Sequence, residues 1–232
     1  GPMPMDAVSV WPLTGLRLVT QSLELHFPSN EDLLSLAAIA AGGIHDPAVQ
    51  PFTAAWTDQN PAQIALGNLQ FHWARWASWT AEDWSLGFVA KLDGNVIGTQ
   101  SISAKQFAVL REVRSGSYLG RAFQGRGLGT EMRAAVLHLA FAGLGAHYAV
   151  SSAYTDNAAS LGVSRRLGYQ NDGIERHVVR GRPAVSQRLR LSRDDWERYR
   201  NLPVEIYGLE ACLPPMGLTD DGVPKDDERL VP

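Results

Sequence analysis

Hydrophobic positions along the chain change period several times. Within residues 16–27, Leu16, Leu18, Leu23, Leu25 and Phe27 alternate with polar neighbours, the pattern of one half-buried strand. Ser29, followed by Glu31 and Asp32, supplies helix N-cap chemistry ahead of Leu33, Leu36 and Ile39, and Gly42-Gly43 stops that helix. Residues 43–57, with Pro47 and Pro51, read as a loop. A second helical stretch runs from about Pro61 to Ser78 and carries Phe71, Trp73 and Trp76, with Trp79 at its end.

Apolar runs at 86–92 and 96–103 flank Asp93-Gly94-Asn95, a hairpin signal. Residues 113–119 form the next strand candidate. A glycine-rich turn and a helix over 131–142 follow, then a strand over 147–153 and a helix over 157–167 closed by Gly168. A last strand at 183–191 leads to Ser192, which caps a final helix through about Arg200. Strands alternating with helices, plus an early antiparallel hairpin, predict a mixed sheet in an α/β (α+β) fold.

Composition narrows the function classes. The chain has 232 residues, 45% of them hydrophobic, enough to bury a core in one domain with trimmings or at most two small ones. A formal charge of −3 provides no basic field for nucleic acid. No apolar run approaches a membrane span and no secretory leader is visible, so a cytoplasmic location is expected. The single cysteine, Cys212, excludes an internal disulfide and a cysteine metal cluster; no metal site is expected. Gly1-Pro2 ahead of Met3 reads as a tag scar, so residues 1–14 are set aside as scar and flexible N-terminus. The expected domain covers 15–200. Residues 201–232 form a Pro-rich, acidic extension, ordered in part up to about Leu218, where Val204, Ile206, Tyr207 and Leu209 can dock. Beyond it, Asp220, Asp221, Asp226, Asp227 and Glu228 outweigh Lys225 and Arg229.

The chemistry concentrates at Gln124-Gly125-Arg126-Gly127-Leu128-Gly129-Thr130, where a strand meets a helix. Unpaired amides at a helix start, with the positive end of the dipole, suit a phosphate or pyrophosphate. A nucleotide-triphosphatase loop would end in Gly-Lys-Ser/Thr, and a dinucleotide fingerprint needs a third glycine; both are missing. The bland alternative is a tight turn that merely starts a helix.

Gln124-x-x-Gly127-x-Gly129 resembles the acyl-CoA loop of the GCN5-related N-acyltransferase (GNAT) superfamily. Asn157-Ala158-Ala159-Ser160, followed by Arg165-Arg166-Leu167-Gly168-Tyr169, resembles the second motif of its ribosomal-protein-acetylating branch. The likeness covers about residues 15–200. His45-Asp46-Pro47, Asp83-Trp84-Ser85-Leu86 and the run from Gly129 to Val136 are most similar to proteins described as succinyl-CoA transferases. The resemblance implies a central mixed, mostly antiparallel sheet, splayed in the middle and flanked by helices. It implies acetyl-CoA or succinyl-CoA as donor and an amine acceptor: a protein N-terminus, a lysine or a small amine.

On that resemblance, the amides of Gly125, Arg126, Gly127, Leu128, Gly129 and Thr130 hold the pyrophosphate and Gln124 shapes the loop. Arg126 pairs with a phosphate or stays solvated. The strand edge at Tyr118, Leu119 and Gly120 pairs with the pantetheine arm and polarises the thioester through a backbone N–H. Asn157 binds pantetheine, caps its helix, or does both. Ser160 donates to the departing thiolate, or simply packs. The superfamily's tyrosine acid is replaced by Ser164, with Tyr154 and Tyr169 as substitutes out of position.

A base is not singled out. Asp83 leads Glu82, Glu112, Glu175, His45, His72 and His147, because it adjoins Trp84. Trp79, Trp84 and Ser101 are expected to line the acceptor pocket, although tryptophans at such spacing also serve simply as core. A succinyl carboxylate would need a cation such as Lys105, Arg111, Arg121 or Arg75. Without a cysteine nucleophile, direct attack in a ternary complex is expected. The competing class is a degenerate CoA-binding regulatory domain. A homodimer is a candidate assembly.

Overall fold

The computed structural model describes residues 1, 2 and 5–219. The acidic segment that follows lies outside the described residues. Among the described residues nine strands form one sheet in the order β7-β8-β6-β5-β4-β3-β2-β1-β9. Their ranges are β1 Arg17–Val19, β2 Leu23–His26, β3 Asp83–Leu92, β4 Asn95–Lys105, β5 Glu112–Leu119, β6 Tyr148–Tyr154, β7 Gln170–Val179, β8 Arg182–Ser192 and β9 Glu205–Tyr207. The helices are α1 Ala7–Val10, α2 Asn30–Ala41, α3 Pro61–Ala77, α4 Phe107–Leu110, α5 Leu128–His138, α6 Ala158–Arg166 and α7 Arg193–Tyr199.

Local chemistry places most of these ends. Ser29 and Asp32 close a reciprocal capping box on α2, and Asn60 and Gln63 do the same on α3, with Pro61 at the first helical position. Asp93 and Gly94 both have positive φ, as a two-residue hairpin turn demands.

Residues 16–27 are two antiparallel strands rather than one. Thr20 turns the chain by bonding Leu23 through both its N–H and its hydroxyl, so Leu18 and Leu25 meet as a cross-strand pair. Strand β7 was not expected. It is an edge strand exposed on both faces, so no apolar alternation marks it. Helix α5 begins at Leu128, three residues ahead of the apolar pattern.

Among the described residues every strand pairing is antiparallel except β5 with β6. That ladder holds only Glu112 to Arg114 against Tyr148 to Val150; residues 115–119 and 151–154 then run unpaired with each other. The sheet is thus splayed in the middle, as the resemblance implied. One face carries Leu86, Phe88 and Ala90 into the core with Met132, Val136 and Phe141. Cys212, Leu213, Met216 and Leu218 complete that core, and β9 extends the sheet by pairing with β1. The opposite face of β3 and β4 is covered by α2 and α3.

Candidate active site

The splay brings two helix starts together. β5 and β6 run parallel, so both carboxyl ends lie at the opening, and each leads into a helix. After β5, Gly127 caps α5 with φ +79°, and Gly125 adopts φ +73°. A Cβ at either glycine would meet nothing within 4 Å, so the backbone angle and an open approach, rather than crowding, call for glycine there. The first intrahelical bond is Glu131 N–H to Gly127 O at 3.1 Å. The amides of Leu128, Gly129 and Thr130 therefore precede the ladder and point out of the helix end.

Gln124 holds this loop in place. Its Nε2 donates to Leu119 O at 2.9 Å and to Ile44 O at 2.7 Å, tying the loop to the segment after α2. Arg126 is exposed, with its guanidinium over the Phe123 ring. On the other side of the splay, Asn157 Oδ1 accepts from Ser160 N–H at 3.2 Å and caps α6. Ser160 is half-buried in the first turn; Ser164 is fully buried beside Arg133. Tyr169 packs under Arg133, and the Tyr154 hydroxyl is bonded to Thr53.

Strand alternation reassigns one expected role. Gly120 N–H donates to Ile97 O at 2.9 Å, so the amide of Tyr118, two residues earlier, also faces β4. The amides of Ser117 and Leu119 are the ones that face the splay. Tyr118 instead contributes its side chain. Its phenol accepts from Asn68 Nδ2 at 2.6 Å, and burial raises its pKa well above the usual tyrosine range.

Beside the splay lies a cavity of about 440 Å³ between α3, residues 52–59 and the sheet face. Its floor follows from register. Gly87, Ser101 and Gly116 stand in one row across β3, β4 and β5, and with nothing larger than the Ser101 hydroxymethyl in that row there is room beneath α3. His72 sits over this row; a Cβ on Gly87 would lie 3.2 Å from its Cε1. Burial pushes the His72 pKa down to about 4, so the imidazole is neutral at pH 7.

Ser101 lines the cavity, whereas Trp79 and Trp84 are not among its lining residues. They stack on each other with centroids 5.6 Å apart. Trp84 lies in the core against Phe107, and Trp79 donates its N–H to Pro215 O in the C-terminal segment. Strand alternation turns Trp84 to the core face and Ser85 to the cavity face. Asp83 shares the cavity face with Ser85 and Gly87, but it is exposed at the strand start, outside the lining set. Of the four cations considered for an acyl carboxylate, only Arg75 lines the cavity.

Most of the wall formed by residues 52–59 lies in the segment 43–57, which the sequence marks only as a loop. Trp56 stands 5.1 Å from Phe52 and 5.5 Å from Tyr118, centroid to centroid. The segment is tethered to the far half of the sheet. Arg180, in the β7–β8 turn, donates to both carboxylate oxygens of Asp58 and to Pro47 O, while Thr53 bonds Tyr154. That hydrogen-bonded guanidinium lowers the Asp58 pKa. The sequence carried a composition signal for an aromatic wall in Phe52 and Trp56, but none for its anchors. Among the described residues no group of His, Cys, Asp and Glu could hold a metal ion, and no helix is long and apolar enough to cross a membrane.

Comparison with known proteins bears on the family and the fold. Residues 22–170 match the acetyltransferase (GNAT) domain family. A RimL ribosomal L7/L12 alpha-N-protein acetyltransferase solved with coenzyme A superposes with a TM-score of 0.61 at 15% identity, over 75% of this chain and 96% of that one. The ribosomal-protein-S5-alanine acetyltransferase from Vibrio fischeri gives 0.60 at 17%, over 78% and 98%. The microcin C7 self immunity acetyltransferase MccE, solved with acetyl-CoA and AMP, gives 0.60 at 15%, over 74% and 93%. At such identities the structural likeness carries the fold, and the family rests on the domain match. The chain belongs to the GNAT acetyltransferase family.

Proposed function

We propose that this chain transfers an acyl group, acetyl or succinyl, from a CoA thioester to a primary amine by direct attack in a ternary complex. The observation that carries the reading is the splay itself: a glycine loop with open amides at the end of β5 faces the capped start of α6 at the end of β6. The donor is a substrate, and its parts find partners of the right chemistry. Amides from Gly125 to Thr130 suit the pyrophosphate, with Arg126 free to pair with a phosphate. The outward backbone of Ser117 and Leu119 offers a strand edge to the amide-rich pantetheine arm. Asn157 keeps its Nδ2 for the same arm, since Oδ1 already caps the helix.

The amine nitrogen forms its bond to the thioester carbonyl carbon, the carbon–sulfur bond breaks, and the thiolate takes up a proton. Ser160 and the Tyr118 phenol, which burial keeps protonated, are the donors we assign to that last step. Asp83, exposed at the start of β3 outside the cavity lining, and neutral His72, inside the cavity, are the two groups we assign as alternative acceptors of the proton lost by the amine. We place this activity in the cytoplasm, and leave a homodimer as its proposed assembly.

The test is thiol release from acetyl-CoA and succinyl-CoA with a panel of amines, beside calorimetric CoA binding. Saturable, amine-dependent release supports the transferase, and the preferred thioester names the acyl group. CoA binding without release would favour a regulatory CoA-binding domain, and no CoA binding would overturn the reading.

A further inference from the structure

The acceptor cavity carries a charge pattern that narrows the amine. Among the described residues that line it there is no carboxylate, and its one charged group is Arg75, exposed over the Phe71 ring. The nearby carboxylate of Asp58 is held bidentately by Arg180. The remaining polar groups are neutral, including His72, and the walls are aromatic: Phe52 and Trp56 on one side, Phe71 and Trp76 on the other.

We infer that the acceptor is a small monoamine on an aromatic or apolar body, with no second positive charge. The inference rests on the acyltransferase reading above. A polyamine, or a peptide rich in lysine and arginine, would bring cations into a space that offers them no counter-charge and already holds Arg75. A flat apolar body fits the ring walls, and a cavity of about 440 Å³ is of small-molecule size. The same lack of a carboxylate aids the chemistry. Burial without a counter-ion lowers the pKa of an amine, so the neutral, nucleophilic form is favoured inside the cavity. Trp56 is then a specificity residue, because it joins the roof segment to Tyr118 through ring contact.

The experiment titrates 2-phenylethylamine, spermidine and a lysine-bearing hexapeptide with a free N-terminus into the protein saturated with CoA. No turnover is needed. The expected result is that 2-phenylethylamine binds at least about tenfold tighter than either competitor. Trp56→Ala weakens it by about tenfold, Trp56→Phe restores most of the loss, and the CoA Kd is unchanged in both variants. Equal or tighter binding of spermidine or the peptide, no measurable binding of 2-phenylethylamine, or indifference to Trp56→Ala would overturn the inference while leaving the transferase reading intact. Failure of the unaltered protein to bind CoA would instead remove the reading on which it rests.

Discussion

Asn68 Nδ2 donates to the Tyr118 hydroxyl oxygen at 2.6 Å, linking α3 to β5 at the edge of the splay. The bond occupies an acceptor site of the phenol and leaves its own proton available for another partner. Asn68 Oδ1 is buried without a hydrogen-bond partner, so the amide depends on this single contact. Tyr118→Phe is expected to cost about 1–3 kcal/mol of stability, by stranding Asn68. If the phenol protonates the thiolate, kcat falls by about a hundredfold or more with CoA affinity unchanged. Denaturant unfolding and steady-state kinetics on the one variant separate the two effects.

Gly127 tests the loop. Its φ of +79° is strained for any residue with a Cβ, and most of all for a β-branched one. Gly127→Val is expected to weaken CoA binding by about tenfold or more by turning the first-turn amides away, at a stability cost of about 1–3 kcal/mol. Gly127→Asn should lose less of both, because asparagine tolerates the left-handed region. Calorimetry on the pair reads the difference.

His72 predicts a pH dependence of stability. Its folded pKa, about 4, lies below the unfolded value of 6.5. Between those values the unfolded chain holds more protons, so stability falls as pH drops from about 6.5 to about 4 and then levels off for this group. The loss attributable to it is at most about 3 kcal/mol. His138 is also lowered, by burial and then by Arg200, and acts in the same direction. Replacing His72 with Gln should flatten the unfolding free energy across this window, measured by denaturant titration at several pH values.

Cys212 should be silent in the native protein. It is fully buried, its thiol faces Pro12 O and Gly208 O, and burial pushes its pKa up to about 12. A thiol-specific reagent is expected to count essentially no thiol per folded chain and one per unfolded chain. Fast labelling of the folded protein would contradict the packing of the C-terminal segment.

That segment is part of the core. Truncation after Arg200 removes Cys212, Leu213, Met216 and Leu218 together with the Pro215 carbonyl that Trp79 bonds. The expected outcome is aggregation or a Tm lowered by well over 10 °C, since several fully buried apolar side chains, each worth about 1.5–3 kcal/mol, are lost at once. Circular dichroism melts of the full and shortened chains compare them.

What the sequence determined by itself was local. Helix caps at Ser29, Asn157 and Ser192, the Asp93-Gly94 turn and the glycine loop each depend on a few adjacent residues whose backbone preferences do not need the rest of the fold. Those signals, with the spacing of two motifs, were enough to read the fold and the family. The tertiary structure decided whatever depends on register and distant pairing. Strand alternation sent Trp84 to the core and Ser85 to the cavity, and turned the Tyr118 amide toward β4 and the Leu119 amide outward. Gly87, Ser101 and Gly116 are ordinary small residues until pairing sets them in one row. Strand β7 has no buried face to leave a period in the sequence, yet the turn after it carries the arginine that anchors the cavity roof across 122 residues of chain. Contacts of that separation leave no local trace, because their partners meet only after the sheet has formed.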